Sequence, residues 1–242
     1  MQRKIRKILS VLLLVALWYL AAFFINAPLI LPYPHSVFVR LCALVQTLLF
    51  WKSFAFTFIR VILAFVISVV IGFAMGLVSA DFPPFKDYIE FPLALIRAMP
   101  VVAVILPALF WFKSDTVPVF VAVLMALPVV TTAAQRGFES TPESRELLFR
   151  ARSRGFTGWK AFRYIRLPSA APALTSGAES AFGLCWKVVA AGEVLSIPRF
   201  AAGSLMHQSQ VHLETADTLA VTVALVFVSW ACQKLFCFKK KR

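Results

Sequence analysis

RSRGFTGWKAFRYIRLP, residues 152 to 168, is a cationic and aromatic stretch in a chain that is otherwise strongly apolar. Five of its residues are Lys or Arg, whereas 60% of the whole chain is hydrophobic and only 15% is charged. Soluble domains carry about 25% charged residues, so this composition is typical of a membrane protein. We therefore expect the stretch to lie outside the bilayer, between apolar segments that cross it.

Long apolar runs recur on both sides of this stretch. A helix needs about 20 mostly apolar residues to cross the hydrocarbon core of a bilayer. By that measure the sequence predicts an all-α integral membrane protein, with residues 1–242 forming a single transmembrane domain. We expect about six transmembrane helices, at residues 8–27, 54–80, 93–112, 116–136, 172–195 and 216–237.

Two of these runs carry further signals. The first follows basic residues, as a signal peptide does, but it is longer than the usual apolar region and lacks a small-residue cleavage site. We therefore expect a retained helix. In the second run, GFAMG at residues 72–76 places two glycines four residues apart, a spacing that lets helices pack closely.

The cations predict which parts of the chain share one side of the membrane. Most Lys and Arg fall before residue 8, between 136 and 166, and from 234 onwards. Cytoplasmic loops are enriched in these residues, and an even number of spans places both termini on one side. We expect a multi-pass protein of the inner membrane with both termini in the cytoplasm. The net charge of +14 then reflects topology in a lipid bilayer, and nucleic acid is not an expected partner.

The cytoplasmic segment, residues 137–170, is expected to contain two short helices separated by Gly155, a residue that commonly ends helices. Thr157 is a candidate cap for the second helix, which we expect to end near Pro168. This second helix combines aromatic and cationic residues. Such a helix suits either anionic lipid headgroups or a groove in a partner protein, and its periodicity does not choose between them.

The spacing of Gly155, Ile165, Leu167 and Pro168 resembles the G-x9-I-x-L-P core of the loop found in inner-membrane permease subunits of binding-protein-dependent ABC importers. Further segments are similar to the branch of that family that serves nitrate, sulfonate and taurine importers. They are LPYPHSVFVRL at 31–41, TFIRV at 57–61, LIRAMPVVAVILPALFWF at 95–112 and CWKVVAAGEV at 185–194. The resemblance covers nearly the whole chain and implies the MetI-like permease architecture, with 137–170 as a loop that couples to an ATPase.

The loop departs from the family at its start. The family has Glu-Ala-Ala six residues before the glycine, whereas this chain has Phe149, Arg150 and Ala151, so only the last alanine matches. Glu146, one turn earlier, is a candidate substitute for the missing acid. The resemblance implies a coupling surface made of these residues: Ala151, Gly155, Trp159, Phe162, Ile165, Leu167 and Pro168.

The same resemblance implies the partners. They are cytoplasmic ATPase subunits that use ATP and Mg, an extracytoplasmic solute-binding protein, and a second permease copy, with a symmetric homodimer as the simplest arrangement. The chain has no G-x-x-x-x-G-K-[ST] phosphate loop. We therefore expect a transport subunit that is not itself an enzyme and that binds no cofactor.

Three ionisable residues within or at the ends of the expected spans are candidates for the translocation path: Arg97, Lys187 and Glu193. A charge in the bilayer is costly, so each is expected to face a cavity or a partner. Lys187 and Arg97 could attract a small anion; alternatively, Lys187 pairs with Glu193 or contacts a backbone carbonyl. His207 and His212 are five residues apart, which does not fit a metal site on a helix, so no metal is expected.

Two other classes of function remain open at this point. One is a channel or secondary transporter that works without ATP, and the other is an integral-membrane enzyme. The enzyme would need acids, histidines or cysteines converging at one depth, but the spans contain scattered single groups. The favoured expectation is an importer permease for a small anion or a vitamin-precursor-like compound.

Overall fold

The computed structural model of the protein describes residues 2–139 and 158–238, and within these ranges the chain is helical and has no β-strand. Ten α-helices and one π-helical turn occur there. They are α1 Gln2–Ile25, α2 Pro34–Val45, α3 Leu48–Asp81, α4 Pro83–Ala98, α5 Val101–Trp111, α6 Val117–Phe138, α7 Gly158–Ala161, the π turn Phe162–Arg166, α8 Leu167–Ser196, α9 Ala202–Val211 and α10 Thr215–Phe238.

The centre of the bundle is formed by α3, α6 and α8. Small residues let these helices approach: a Cβ on Gly76 of α3 would lie 2.4 Å from the Cβ of Ala134, and one on Gly177 of α8 would lie 2.2 Å from the Cβ of Ala133. Because Ala133 and Ala134 are neighbours on α6, this helix is held between the other two. The close packing predicted for residues 72–76 is confirmed.

The bundle has two ends, which we name by the residues they carry. At the 158–168 end, α3 and α6 finish and α8 begins. At the 113–115 end, α6 begins and α8 finishes, next to the connection that leads into α9.

The expected span at 93–112 is a bent pair of helices, not one uninterrupted helix. The axes of α4 and α5 differ by 100°. Met99 between them has an extended backbone, with φ −69° and ψ 130°, and Pro100 follows it. Since a proline disfavours the helical conformation of the residue before it, the helix ends at this point.

By length and composition, three helices among the described residues could cross a membrane: α3, α6 and residues 215–235 of α10. A fourth crossing is counted if the bent pair α4 and α5 forms one span. The apolar part of α1, Leu9–Ile25, is shorter. The expected number of about six spans therefore stays a prediction.

The segment between the first two predicted spans forms a helix on the outside of the bundle. Pro34 occupies the first turn of α2, where its missing N–H is not needed. Arg40 of α2 forms a two-pronged ion pair with Asp217 of α10, whose side chain is buried. The hydrogen bonds that Asp217 accepts raise the pKa of the Arg40 guanidinium.

The helix expected to end near Pro168 instead runs on into α8. The π turn makes this possible, because the Leu167 N–H donates to the Phe162 carbonyl five residues earlier. A proline inside a regular helix clashes with the carbonyl four residues before it, and a wider turn relieves that clash. Thr157, the expected cap, lies outside the described residues.

Candidate functional site

The predicted coupling residues lie at the 158–168 end of the bundle. Trp159 belongs to α7, Phe162 and Ile165 to the π turn, and Leu167 and Pro168 to the first turn of α8. Ala151 and Gly155 lie outside the described residues.

An aromatic ladder connects this end to the interior. The ring of Trp159, which is 70% exposed, stacks on Phe162 at 5.4 Å. Phe162 stacks on the buried Phe138 of α6 at 5.9 Å, and Phe138 meets Phe73 of α3 edge to face at 5.4 Å. The rings thus form a continuous line of contacts from Trp159 to α6 and α3.

Ion pairs reinforce the ladder at the same end. Arg166 of the π turn donates to both carboxylate oxygens of Asp81, the last residue of α3, at 3.0 and 2.5 Å. Its guanidinium also lies 5.8 Å from the centre of the Phe138 ring. Lys86 of α4 contacts Glu139 just after α6 at 3.1 Å. Together with the aromatic ladder, these contacts link α3, α4, α6, α7 and the π turn at one corner of the bundle.

The surface around Trp159 is cationic as well as aromatic. Lys160 and Arg163 are exposed beside it. Trp and Arg are enriched among the residues that dominate protein interfaces. This surface therefore has the composition expected for docking to a protein.

Glu193, predicted for the translocation path, lies in a buried polar cluster at the opposite end. Its carboxylate accepts hydrogen bonds from Thr57 at 2.8 Å, from Arg60 at 2.9 Å and from the Gly203 backbone N–H at 3.2 Å. The residue is fully buried. Its partner is thus Arg60, not Lys187.

Arg60 is the centre of this cluster, which we call the Arg60 hub: Thr57, Arg60, Asp115, Glu193, and the backbone of residues 200–203. Arg60 donates to the Phe200 carbonyl at 2.8 Å and to Asp115 at 2.6 Å. The hydroxyl of Thr57 also accepts from the Ala202 N–H at 2.9 Å. The hub fastens α3, α8, the 113–115 turn and the start of α9 together.

Sequence reasoning missed the role of Arg60, although a signal was present. Arg60 is a cation inside an apolar run, as Arg97 and Lys187 are. Arg60 belongs to the segment TFIRV and Glu193 to the segment CWKVVAAGEV. Both segments resemble the same family, but the sequence did not show that their charged residues form an ion pair.

Lys187 is exposed and lines an apolar groove of about 460 Å³ between α8, α9 and α10. The walls include Trp186, Met206 and Trp230. The indole N–H of Trp186 is buried and has no hydrogen-bond partner among the described residues. A cation in such a groove needs an anion or water nearby.

Arg97 occupies a third location, at the bend between α4 and α5. One of its terminal nitrogens donates to the Pro128 carbonyl at 2.9 Å and to the Thr132 hydroxyl. It lines a groove of about 390 Å³ between α6 and α8. The three predicted path residues therefore lie in three different surroundings.

Comparison with known proteins identifies the family. Residues 68–236 match the family model described as binding-protein-dependent transport system inner membrane component. That range spans more than half of the chain and includes α6, α8 and the described coupling residues.

Individual relatives agree with the family match. The chain is 23% identical over 222 residues to the taurine transport system permease protein of Escherichia coli, covering 89% of this chain and 79% of the relative. It is 24% identical over 187 residues to the glycine betaine transport system permease protein of Bacillus subtilis, covering 77% and 65%.

A solved structure shows the same fold. It is that of the MetNI methionine ABC transporter in inward-facing conformations, with a TM-score of 0.52 at 16% identity, over 77% of this chain and 93% of the solved one. At this identity the match supports the arrangement of helices and nothing finer.

Proposed function

Because the chain belongs to the family of binding-protein-dependent transport system inner membrane components, we propose that it is the permease subunit of an ABC importer whose ATPase is a separate polypeptide. The permease provides the path for a small solute. ATP and Mg are used by the cytoplasmic ATPase subunits, and the 158–168 end of the bundle is where those subunits dock.

The aromatic ladder is the observation that carries the coupling proposal. Trp159 exposes most of its surface, yet it is joined through Phe162 and Phe138 to the ends of α3 and α6. A docked ATPase that closes on ATP would push or pull Trp159 and tilt the attached helices between inward-open and outward-open arrangements.

Replacing Trp159 with Ala tests the docking step. Loss of a central interface aromatic is expected to weaken ATPase docking by about 2 kcal/mol, roughly thirtyfold in affinity. The measurement is titration of the permease in nanodiscs with the purified ATPase subunit. Trp111→Ala is the matched control, because Trp111 is also an exposed tryptophan (74%) but lies beside the 113–115 turn, at the opposite end of the bundle. Docking of the Trp159 variant at the affinity of the Trp111 variant would contradict the proposal.

The competing function is a channel or secondary transporter. Solute uptake into proteoliposomes separates the two, because an importer needs the ATPase, ATP and the binding protein together. Uptake at full rate with the ATPase omitted would identify an ATP-independent transporter and overturn the proposed function.

We further propose that the solute is a small anion or a compound with an acidic group. The support is that Arg97 and Lys187 line grooves instead of pairing with acids among the described residues. Two relatives are named for transport of taurine and glycine betaine, which are zwitterions that each carry one acidic group.

Lys187→Met is expected to lower uptake of an acidic solute by about tenfold, because removing one nearby charge costs on the order of 1 kcal/mol or more in a partly buried groove. Lys187→Arg keeps the charge and is the control. Uptake of the acidic solute at the unchanged rate by Lys187→Met would end the anion proposal.

The remaining assignments follow from the same function. The chain is proposed to sit in the inner membrane with both termini in the cytoplasm and about six crossings. The extracytoplasmic binding protein is proposed to dock at the 113–115 end, where α9 carries His207. A second permease copy completes the path, with the homodimer as the simplest assembly.

A further inference from the structure

The groove beside Arg97 is built differently from the apolar groove beside Lys187. It lies between α6 and α8 near the 158–168 end and is bordered by α4 through Arg97. Its lining combines two arginines, three hydroxyl groups and small residues: Arg97, Arg136, Thr132, Ser176, Ser180, Val129, Ala133, Ala173 and Gly177. No carboxylate is among these lining residues.

We propose that this groove binds a small oxyanion headgroup, such as a sulfonate, phosphate or carboxylate, through Arg97 and Arg136. The inference rests on the proposed function only in placing the groove on the path of the solute. It adds a defined site, a ligand chemistry and the role of Arg136, which no resemblance assigned.

The two guanidinium groups are available to a ligand. Arg97 uses one terminal nitrogen for Pro128 and Thr132, and its other donors have no acceptor in the described part of the chain. Arg136 is exposed and has no ion-pair or hydrogen-bond partner among the described residues. Arginine binds oxyanions in a two-pronged geometry, which makes such unoccupied donors selective for this chemistry.

The nearby carboxylates lie in the adjoining groove. Glu90 and Glu139 line that groove of about 380 Å³, which Arg97 and Arg136 also border. Glu139 is engaged by Lys86 at 3.1 Å and by the Gln135 amide at 3.3 Å. The groove on the α8 side has both arginines and no carboxylate in its lining.

The α8 side supplies hydroxyl groups on one helix face. Ser176 and Ser180 are one turn apart and both exposed, and Lys187 lies seven residues further on, close to the same angular position. The Ser180 hydroxyl donates to the Ser176 backbone carbonyl at 2.9 Å. The Ser176 hydroxyl has no hydrogen-bond partner among the described residues, so it can donate to a ligand. A bound headgroup would thus meet Ser176 opposite the arginines.

The floor of the groove is shaped to admit a headgroup. Gly177 packs so closely on α6 that a Cβ would lie 2.2 Å from the Cβ of Ala133. Because the residues between the arginines and the serines are small, no side chain fills the space above them. The binding surface is consequently open along its length.

The test measures the electrostatic preference of the groove with small thiol reagents. Ser180→Cys is made in a chain whose four native cysteines are replaced by alanine or serine. The full-length protein, in phosphatidylcholine vesicles, is treated with anionic methanethiosulfonate ethylsulfonate or with its cationic trimethylammonium counterpart. The ratio of the two labelling rates is then compared with that of the same chain carrying Arg97→Gln and Arg136→Gln.

We expect the ratio of sulfonate to trimethylammonium labelling rates at Ser180→Cys to exceed the ratio for a small free thiol in solution. This ratio should fall at least about tenfold when both arginines are removed. Arg136→Gln alone, which breaks no ion pair or hydrogen bond in the described part of the chain, should give part of that fall. Val70→Cys on α3, a position 62% exposed, is the matched control for an apolar surface. It should react with neither reagent.

Two results would overturn the site: a ratio that the arginine substitutions leave unchanged, or a Ser180→Cys chain that is inert to both reagents. Adding phosphatidylglycerol distinguishes the source of the ligand. Slower sulfonate labelling that depends on the arginines assigns the site to a lipid headgroup, whereas unchanged labelling excludes the lipid; protection of the same cysteine by added taurine or inorganic phosphate then assigns the site to a soluble oxyanion. Labelling needs no ATPase, so its failure is separate from failure of the Trp159 docking experiment.

Discussion

The two ends of the helix bundle are held together by different means. At the 113–115 end, the Arg60 hub buries a carboxylate and a guanidinium and satisfies them with side chains and backbone groups. At the 158–168 end, the Arg166 and Asp81 side chains are 23% and 53% exposed, and Trp159 is mostly in solvent.

This difference determines where the bundle can move. Separating a buried ion pair leaves uncompensated charges and costs several kcal/mol, whereas an exposed pair is worth about 1 kcal/mol or less. The helices are thus expected to stay together around the hub and to rearrange at the 158–168 end. Movement about one fixed end fits the proposed function, in which the ATPase acts at the 158–168 end.

The largest expected effect comes from breaking the hub. Arg60→Met leaves Glu193 buried without its cation and should lower the free energy of unfolding by about 3–5 kcal/mol. The measurement is unfolding of the detergent-solubilised chain, followed by tryptophan fluorescence. Lys113→Met makes the same kind of change at an exposed site and should stay within about 0.5 kcal/mol.

A double substitution checks the cause. Arg60→Met combined with Glu193→Gln removes both charges, so part of the lost stability should return. Equal stability of Arg60→Met and Lys113→Met would show that the hub does not hold its end of the bundle.

An intermediate effect is expected from the packing between α3 and α6. Gly76→Ala places a Cβ 2.6 Å from the Thr131 carbonyl oxygen and should cost about 1–3 kcal/mol of unfolding free energy. Gly183→Ala is the control, because its nearest neighbour is the flexible Gln233 side chain at 3.4 Å. A tolerated Gly76→Ala would mean that the 158–168 end is looser than its backbone contacts indicate.

The smallest effect on stability is expected from Asp81→Asn. The pair with Arg166 is partly exposed, so the change in unfolding free energy should be about 1 kcal/mol or less. Uptake driven by ATP should nevertheless fall, because α3 loses its ion pair with the π turn and keeps only the ring contact of Phe73. A loss of stability as large as that of Arg60→Met would remove the contrast between the two ends.

Much of the helical architecture was predictable because apolar runs of sufficient length report directly on burial. The glycines at 72–76 likewise predicted close packing, since their effect depends only on local shape. The bend after Met99 was harder to predict from the sequence. Pro100 indicates that the helix is interrupted, but the 100° angle depends on the helices that pack against both halves.

The hub was not predictable from local patterns. Arg60 and Glu193 are 133 residues apart, and the sequence shows two isolated charges without showing that they meet. The groove at Arg136 was missed for a related reason: its arginines and serines come from three helices, and Arg136 was counted only within a cytoplasmic cluster. Charges in apolar runs can be found by reading a sequence, whereas their pairing requires the fold.

The π turn sets the direction in which the proposed docking surface, Trp159, Lys160 and Arg163, faces around the helix axis. It inserts one residue relative to a regular α-helix, and each residue of such a helix accounts for a rotation of about 100°. Everything before Phe162 is therefore turned by about that angle with respect to α8. The direction in which Trp159 points thus depends on this one extra residue. A homologue with the same residues at the docking surface but a regular helix would point them in a different direction around the helix axis.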